Sequence, residues 1–227
     1  MKVVVTREAG WNGVIRERLP TGMIVEEVPL TTTTYLEPED VRAAIENFVA
    51  VERFRTLVVT SERSARYVDV ALSASATDVE VCCVGTATAK ALRARGVNVG
   101  VTGEGTAEDL ARHISNGPVL ILGAMVQRGE LKSSLLARGL EVLPVACYET
   151  IPLTLDKIEI SKVRAADILF IGAPSAWGVA HEFVNPDTWV VVPGAGTAAV
   201  VREEHARVIE GWGPDLAARL TELALAE

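Results

Sequence analysis

The stretch Arg55-Thr-Leu-Val-Val-Thr60-Ser61 decides the fold class, because it ends an apolar run at two hydroxyl side chains. The run Leu57–Val59 is short and rich in β-branched residues, which is typical of a strand buried on both faces. Similar runs recur at Val3–Val5, Val79–Val84, Val119–Leu122, Ile168–Ile171 and Trp189–Val192. Segments with helical spacing separate these runs, so the sequence predicts an α/β fold with largely parallel sheet.

The pattern around Ser61 occurs twice in the chain. Residues 55–110 and 167–216 both pass from an apolar run to a glycine-threonine turn and then to an Asp-Leu pair. The turns are Gly85-Thr-Ala-Thr88 and Gly194-Ala-Gly-Thr197. Self-similarity of this kind predicts two related lobes, each a parallel sheet flanked by helices.

Two other segments are extended but have no helical period. Thr31–Tyr35 is a β-branched run, and Val142–Ile151 is broken by Pro144. If both are strands, the chain leaves its first lobe early and returns late, so the first lobe is discontinuous and the pair of strands forms the hinge between the lobes. The predicted boundaries are a discontinuous first lobe at 1–32 plus 151–227, a second lobe at 36–147, and connecting strands at 31–36 and 143–151.

The composition excludes several classes of protein. The chain has 227 residues and a net charge of −8, with 49% hydrophobic, 5% aromatic and 23% charged residues. These values argue against disorder. A nucleic-acid binder should show a basic field, and the sign here is the reverse. Residues 36–150 carry a net charge of −3 and the remainder −5, so neither lobe is basic.

The sequence also predicts a cytoplasmic protein without a metal site. No apolar run approaches the ~18–20 residues of a membrane span, and the apolar start of the chain is too short for a signal peptide. The three cysteines are an odd number, and two of them, Cys82 and Cys83, are adjacent in an apolar run. They are interpreted as core residues in a reducing compartment. Without a CxxC or His-Cys cluster, a structural zinc site is not expected.

Four hydroxyl side chains follow predicted strands. Thr88 and Thr197 lie in the repeated glycine turns, and Ser61 and Ser175 follow the other strand-to-helix corners. Ligands of open parallel sheets bind at the carboxyl ends of strands, where helix N-termini attract anions. These residues are therefore candidate anion ligands, although a helix cap is the simpler explanation of each, and their repetition weakens that explanation without reversing it.

Three further side chains are candidates. Tyr148 lies in the predicted connecting strand, where it would either donate a proton from its phenol or simply pack against Tyr35. Arg7 follows the first strand and Arg128 follows Val119–Leu122, and an arginine at a strand end suits a carboxylate ligand. The alternative for both arginines is a surface charge or a local ion pair.

The order of these motifs resembles the uroporphyrinogen-III synthase family over nearly the whole chain. The matching residues are Thr6-Arg7, Thr60-Ser61, Gly85-Thr-Ala-Thr88, Leu-Gly123 with Arg128, Cys-Tyr148-Glu-Thr150, Pro174-Ser175-Ala, Gly194-x-x-Thr197-Ala and Pro214-x-Leu216. Each motif is weak by itself, but their order and spacing are specific.

The resemblance implies a fold and a reaction. It implies two α/β lobes joined by a two-stranded ladder, with a cleft between them, in a monomeric enzyme without a cofactor. The substrate would be the linear tetrapyrrole hydroxymethylbilane, cyclised with inversion of ring D to uroporphyrinogen III and water. By the same resemblance, Tyr148 assists departure of the hydroxyl. The implied ligands of the substrate carboxylates are Arg7, Ser61, Thr88, Arg128, Ser175 and Thr197.

The sequence departs from the family pattern at a few positions. Gly172-Ala173 stands where members commonly carry Thr-Ser, Pro193 precedes Gly194 in place of an aliphatic residue, and Leu122 replaces an arginine. The alternative function is therefore a non-catalytic two-lobed protein that binds a tetrapyrrole or small polyanion. A dinucleotide-dependent enzyme is a third hypothesis, but the GxGxxG fingerprint that it requires is missing.

Overall fold

The structure, a computed structural model, describes residues 1–48, 53–104, 106–127 and 129–226. The chain divides into two compact units, Met1–Thr33 with Thr150–Glu227, and Thr34–Glu149. These are called unit 1 and unit 2 below. The two boundaries between the units fall inside strands that are hydrogen-bonded neighbours, the third and the eighth in chain order.

Strands alternate with helices along the described chain. The strands are β1 Lys2–Val5, β2 Ile24–Glu27, β3 Thr31–Tyr35, β4 Thr56–Val59, β5 Glu80–Cys83, β6 Val101–Thr102, β7 Val119–Ala124, β8 Val142–Pro152, β9 Ile168–Phe170, β10 Trp189–Val192 and β11 Val208–Glu210. The α-helices are α1 Gly13–Arg16, α2 Pro38–Glu46, α3 Val68–Leu72, α4 Thr86–Ala94, α5 Ala107–His113, α6 Glu130–Ala137, α7 Lys157–Arg164, α8 Pro174–Ala180, α9 Ala195–Arg202 and α10 Leu216–Ala226. Short 3₁₀ turns occupy Ser64–Tyr67 and His181–Phe183.

Each unit is built on its own parallel sheet. In unit 1 the strand order is β11-β10-β9-β1-β2, and every pair is parallel. The other sheet has the order β3-β8-β7-β4-β5-β6, with parallel pairing from β8 to β6. The prediction of an α/β fold with parallel sheets flanked by helices is confirmed.

The internal repeat is visible in the strand order. The series β11-β10-β9-β1 in one sheet corresponds to β6-β5-β4-β7 in the other. The first strand of the chain, β1, thus takes the place in its sheet that β7 takes in unit 2. The two sheets therefore share one strand arrangement. They differ in chain order, because β1 precedes the other three strands of its series whereas β7 follows them.

Burial on both faces explains why the inner strands are apolar without alternation. Val3, Val4 and Val5 are all fully buried. Val3 and Val5 belong to one core cluster and Val4 to another, because successive side chains of a strand point to opposite faces. Leu57, Val58 and Val59 divide in the same way in unit 2. Each such side chain contributes about 1.5–3 kcal/mol by leaving water.

Three strands are missing from the sequence-based prediction, namely β2, β6 and β11. All three lie at the edge of a sheet. An edge strand is covered less completely, and its residues are accordingly mixed: Ile24 of β2 is 60% exposed, and Glu26 and Glu27 are half-buried. The apolar run that marks an inner strand is therefore absent from these segments.

Proline and glycine residues mark the ends of several helices. Pro38 and Pro174 occupy the first turns of α2 and α8, and Gly96 and Gly139 follow α4 and α6 with φ of 78°. That conformation is strained for a residue with a Cβ atom. Gly85 is the N-cap of α4, and Thr86 is the first helical residue.

His205 is a buried histidine of unit 1. It lies beyond the end of α9 and is only 8% exposed. Its Nε2 is 2.7 Å from the carbonyl oxygen of Thr188, and its ring stands edge-on to Trp177. The contacts make His205 a structural residue of unit 1.

The three cysteines are buried in unit 2. Burial raises the pKa of both Cys82 and Cys147 to about 12, and it also raises the pKa of Cys83. At neutral pH these thiols are protonated, so they are core residues rather than nucleophiles. No helix in the described ranges is long and apolar enough to cross a membrane.

Gly123, at the end of β7, is expected to tolerate no side chain. A Cβ atom there would lie 2.7 Å from Thr60 Oγ1 and 2.8 Å from Gln127 Cδ. Gly123→Ala should therefore lower the free energy of unfolding by about 1–3 kcal/mol, measured by urea denaturation. Gly178→Ala in α8 is the control, because no atom lies within 4 Å of its added Cβ. An equal or greater stability for Gly123→Ala would contradict the close packing.

Candidate functional site

Ser61 lies where β4 ends and the 3₁₀ turn of unit 2 begins. Its hydroxyl oxygen accepts a hydrogen bond from the Ser64 N–H at 3.3 Å and is 3.2 Å from Ser64 Oγ. The preceding Thr60 donates its hydroxyl to the Leu122 carbonyl on β7 at 3.0 Å. The half-buried Ser61 therefore caps the turn locally. Its role as a substrate ligand stays a prediction.

Thr88 and Thr197 occupy equivalent places in the two units. Each is the third residue of its helix, α4 or α9, and each follows a glycine N-cap at the carboxyl end of a strand. The two threonines are 5% and 6% exposed. Neither hydroxyl forms a hydrogen bond with any residue that the structure describes. Thr88 and Thr197 thus match in both position and burial, and they are the clearest sign of the internal repeat at the candidate site.

The N-termini of α4 and α9 lack side-chain caps. Gly85 and Gly194 are extended and make no capping hydrogen bond, and a Cβ added to Gly194 would meet no atom within 4 Å. By contrast, Asp156 caps α7 through a capping box and Thr106 caps α5. Uncapped N–H groups at the positive end of a helix dipole are suited to bind a carboxylate.

Tyr148 lies in β8 beside a register shift. Gly123 of β7 pairs with Ala146 and Ala124 pairs with Tyr148, so one residue of β8 bulges between them. The Met125 N–H donates to the Tyr148 carbonyl at 2.7 Å, which fixes the backbone at this point. A bulge re-aims the side chain that follows it. The side chain of Tyr148 is 8% exposed.

The Tyr148 ring packs against Tyr35, as one of the two sequence-based alternatives expected. The ring centroids are 6.3 Å apart and the planes are inclined by 53°, a favourable tilted pair. Within the described part of the chain, the Tyr148 hydroxyl has no hydrogen-bond partner. The packing leaves the phenol oxygen uncommitted, so the second alternative, proton donation, stays a prediction.

Arg66 is part of this cluster, and the sequence-based reasoning missed it. Its Cζ atom lies 4.3 Å from the centroid of Tyr35 and 5.6 Å from that of Tyr67. The Tyr67 hydroxyl donates to the Leu36 carbonyl at 2.5 Å. Burial raises the pKa of Tyr67, and the nearby Arg66 charge partly offsets that rise. No motif links residues 35, 66 and 148 in sequence, so only the fold could reveal the group.

Arg7 of unit 1 lies among aromatic rings. Its Cζ atom is 5.5 Å from the Trp11 ring and 5.9 Å from the Trp212 ring, and its Nη1 donates to the Trp11 carbonyl at 3.1 Å. The carbonyl of Arg7 accepts from Asn12 Nδ2 at 3.1 Å. The guanidinium is half-buried and held by cation–π contacts, which favours a fixed positive charge at the end of β1.

Gly172, one of the departures from the family pattern, lies beside Arg7 and Trp212. A Cβ atom on Gly172 would lie 3.4 Å from Arg7 Cγ and 3.7 Å from Trp212 Cη2, which are ordinary van der Waals distances. The packing around this corner therefore does not by itself require a glycine, and the structure gives no steric reason for the departure.

Ser175 and Arg128 are the remaining two candidates. Ser175 is the exposed second residue of α8, and Ala173, the N-cap of that helix, makes no side-chain cap. Arg128 lies outside the described residues. No group of three or more His, Cys, Asp or Glu side chains in the described ranges could hold a metal ion.

The family model described as uroporphyrinogen-III synthase HemD matches residues 16–216. A mutant uroporphyrinogen III synthase from the extreme thermophile Thermus thermophilus has a similar structure, with a TM-score of 0.66, 16% identity and coverage of 100% of this chain and 99% of that one. Uroporphyrinogen-III synthetase from Helicobacter pylori 26695 matches with a TM-score of 0.62, 19% identity and coverage of 99% and 98%. No curated protein sequence matches the chain significantly.

Proposed function

The chain belongs to the uroporphyrinogen-III synthase family, and from that premise we propose that it cyclises hydroxymethylbilane to uroporphyrinogen III and water. This is a lyase reaction of tetrapyrrole biosynthesis. The family model covers most of the chain, and the repeated threonines Thr88 and Thr197 are the observation that carries the proposal into the structure. A protein that only binds tetrapyrroles is the less favoured function.

The reaction begins with loss of the terminal hydroxyl. The carbon–oxygen bond of the hydroxymethyl group breaks, and the Tyr148 phenol gives its proton to the departing hydroxyl, which leaves as water. The resulting azafulvene carbon bonds to the substituted carbon of ring D and forms a spiro intermediate. The original bond between that ring D carbon and its methylene bridge then breaks, and the methylene carbon bonds to the free α-carbon of ring D, which inverts the ring. The proton lost from this α-carbon as ring D regains its aromaticity returns to the Tyr148 phenolate. The net change is the loss of one water molecule.

The enzyme must mainly hold one geometry of the substrate. The azafulvene is reactive by itself, and its simple closure gives the isomer with ring D not inverted. Orientation therefore accounts for more of the catalysis than a strong nucleophile would. This requirement agrees with a set of candidate residues dominated by hydroxyls, helix N-termini and arginines.

The substrate carboxylates are proposed to bind at the strand ends of each unit. In unit 2 the ligands are the N-terminus of α4, Thr88 and Ser61, together with Arg128. In unit 1 they are the N-terminus of α9, Thr197, Ser175 and Arg7. Neutral donors predominate, and the chain has a net charge of −8. We therefore expect the KM to depend only modestly on ionic strength.

A coupled assay tests the proposed function. Hydroxymethylbilane is generated in situ, the products are oxidised, and isomers I and III are separated. We expect isomer III to predominate with this protein present and isomer I to form without it. If only isomer I forms in the presence of the folded protein, the proposed enzymatic activity is refuted and the binding function is the one that is left.

The proposed functional unit is a single chain that requires no cofactor. Sedimentation analysis at assay concentrations should give the mass of one chain, close to 24.2 kDa. Activity should survive dialysis against a metal chelator. A stable dimer, or loss of activity that an added metal ion restores, would contradict this part of the proposal.

A further inference from the structure

We infer that Tyr35 and Arg66 are positioning residues that hold the Tyr148 ring in its reactive orientation. The inference rests on the proposed role of Tyr148 in removing the substrate hydroxyl. It adds two residues that belong to none of the motifs by which the family was recognised. Neither residue is proposed to exchange a proton with the substrate.

The backbone of Tyr148 is held in place by contacts that do not involve its side chain. The register shift in β8 and the hydrogen bond from the Met125 N–H locate the Cα atom. Rotation about χ1 and χ2 remains, and these two torsions decide where the phenol oxygen lies. Something must therefore restrict the ring if the hydroxyl is to meet one substrate atom.

Tyr35 supplies the surface that restricts the ring. It belongs to β3, the strand paired with β8, and the Leu36 N–H donates to the Cys147 carbonyl at 3.0 Å. The tilted contact between Tyr35 and Tyr148 is within the range in which aromatic pairs are worth about 0.5–1.5 kcal/mol beyond burial. The Tyr148 hydroxyl, in contrast, makes no bond to a described residue that could orient the ring.

Arg66 holds Tyr35 from the 3₁₀ turn after β4. Its guanidinium lies 4.3 Å from the Tyr35 centroid, closer than Arg7 lies to either of its two tryptophan rings. The turn itself is tied to the Tyr35 segment, because the Tyr67 hydroxyl donates to the Leu36 carbonyl. A continuous series of contacts therefore leads from Arg66 through Tyr35 to Tyr148.

Kinetics of paired variants test the inference. Tyr35→Leu removes the ring and Arg66→Met removes the charge while keeping length. Each is expected to lower kcat about 10-fold and to change KM less than about 2-fold, since a small misplacement of a reacting group is costly. Tyr35→Phe keeps the ring and should restore nearly all of the activity. Unchanged kcat in both Tyr35→Leu and Arg66→Met would overturn the inference.

A double variant separates positioning from a general structural effect. In a Tyr148→Phe background the phenol is already absent, so adding Tyr35→Leu should lower kcat little further. A full additional 10-fold loss would show that Tyr35 acts independently of Tyr148 and would overturn the inference. Arg164→Met and Phe183→Leu remove a similar arginine–ring contact elsewhere, with Cζ 5.9 Å from the ring, and are the matched controls.

A second measurement does not depend on activity. The chain has only three tyrosines, Tyr35, Tyr67 and Tyr148, so ring-labelled tyrosine NMR gives three resolvable sets of signals. Arg66→Met and Tyr35→Leu should shift the Tyr148 signals and broaden them, and Tyr35→Phe should preserve them. Unaltered Tyr148 signals in the first two variants would refute the inference. Absence of isomer III with the wild-type protein would refute the proposed function, and the NMR result would still decide whether the rings are coupled.

Discussion

Tyr148→Phe is expected to lower kcat for isomer III about 100-fold while changing KM less than about 3-fold. The substitution removes the proton of the phenol but keeps the ring and its contact with Tyr35. Substrate binding should therefore survive, and the barrier to loss of the hydroxyl should rise. Initial rates at several substrate concentrations, with the isomers separated, measure both constants.

The control for this variant is an aromatic substitution at the amino end of a strand, away from the carboxyl ends where the substrate is proposed to bind. Trp189→Phe alters the first residue of β10, at the amino end of its strand, and should leave both constants near the wild-type values. Equal kcat values for Tyr148→Phe and the wild type would remove the phenol from the mechanism. A large rise in KM with unchanged kcat would make Tyr148 a ligand of a substrate carboxylate instead.

Phe170→Ala is expected to lower the free energy of unfolding of unit 1 by about 3–5 kcal/mol. Phe170 is fully buried in β9, between β1 and β10, and its ring centroid is 6.1 Å from that of Trp212. Removing the ring leaves a cavity in the core cluster on one face of the sheet, and the surrounding side chains relax only partly into it. Phe170→Leu, which keeps most of the volume, should cost less than about 1.5 kcal/mol.

The chain contains a separate probe for each unit. All four tryptophans lie in unit 1, at positions 11, 177, 189 and 212, and all three cysteines lie in unit 2. Tryptophan fluorescence in urea should report the destabilised unit, whereas labelling of the buried thiols should report the other. Because the core clusters lie within single units, we expect Phe170→Ala to move the fluorescence transition more than the thiol transition. Equal shifts of the two transitions would show that the units unfold together.

The inner strands and most helix ends could be predicted from the sequence because their signals are local. A strand buried on both faces must be apolar throughout, as in Val3–Val5, and a helix that starts at Pro38 or ends before Gly96 carries its own marker. The edge strand β6 has only two residues, Val101–Thr102, both half-buried, so its sequence resembles that of a loop. Its existence depends on β5, which forms beside it.

The candidate site was predictable only where a residue type repeats in a motif. Thr88 and Thr197 follow glycines at strand ends, so the repeat identified them. Trp212 approaches Arg7 across nearly the whole length of the chain, and Arg66 approaches Tyr35 from another element. Such contacts are decided by tertiary packing, which leaves no local pattern in the sequence.

The position of β1 in its sheet has a consequence during synthesis of the chain. Val5 pairs with Glu27 on one side, but on the other side it pairs with Phe170, which is added 165 residues later. At typical rates of about 5–20 residues per second, roughly ten to thirty seconds pass before that partner is translated. Unit 2 is continuous and ends at Glu149, so all of its residues are translated before β9 and it can fold first. Throughout that interval the apolar strand β1 has β2 as its only available neighbour, and its other edge is open to mispairing.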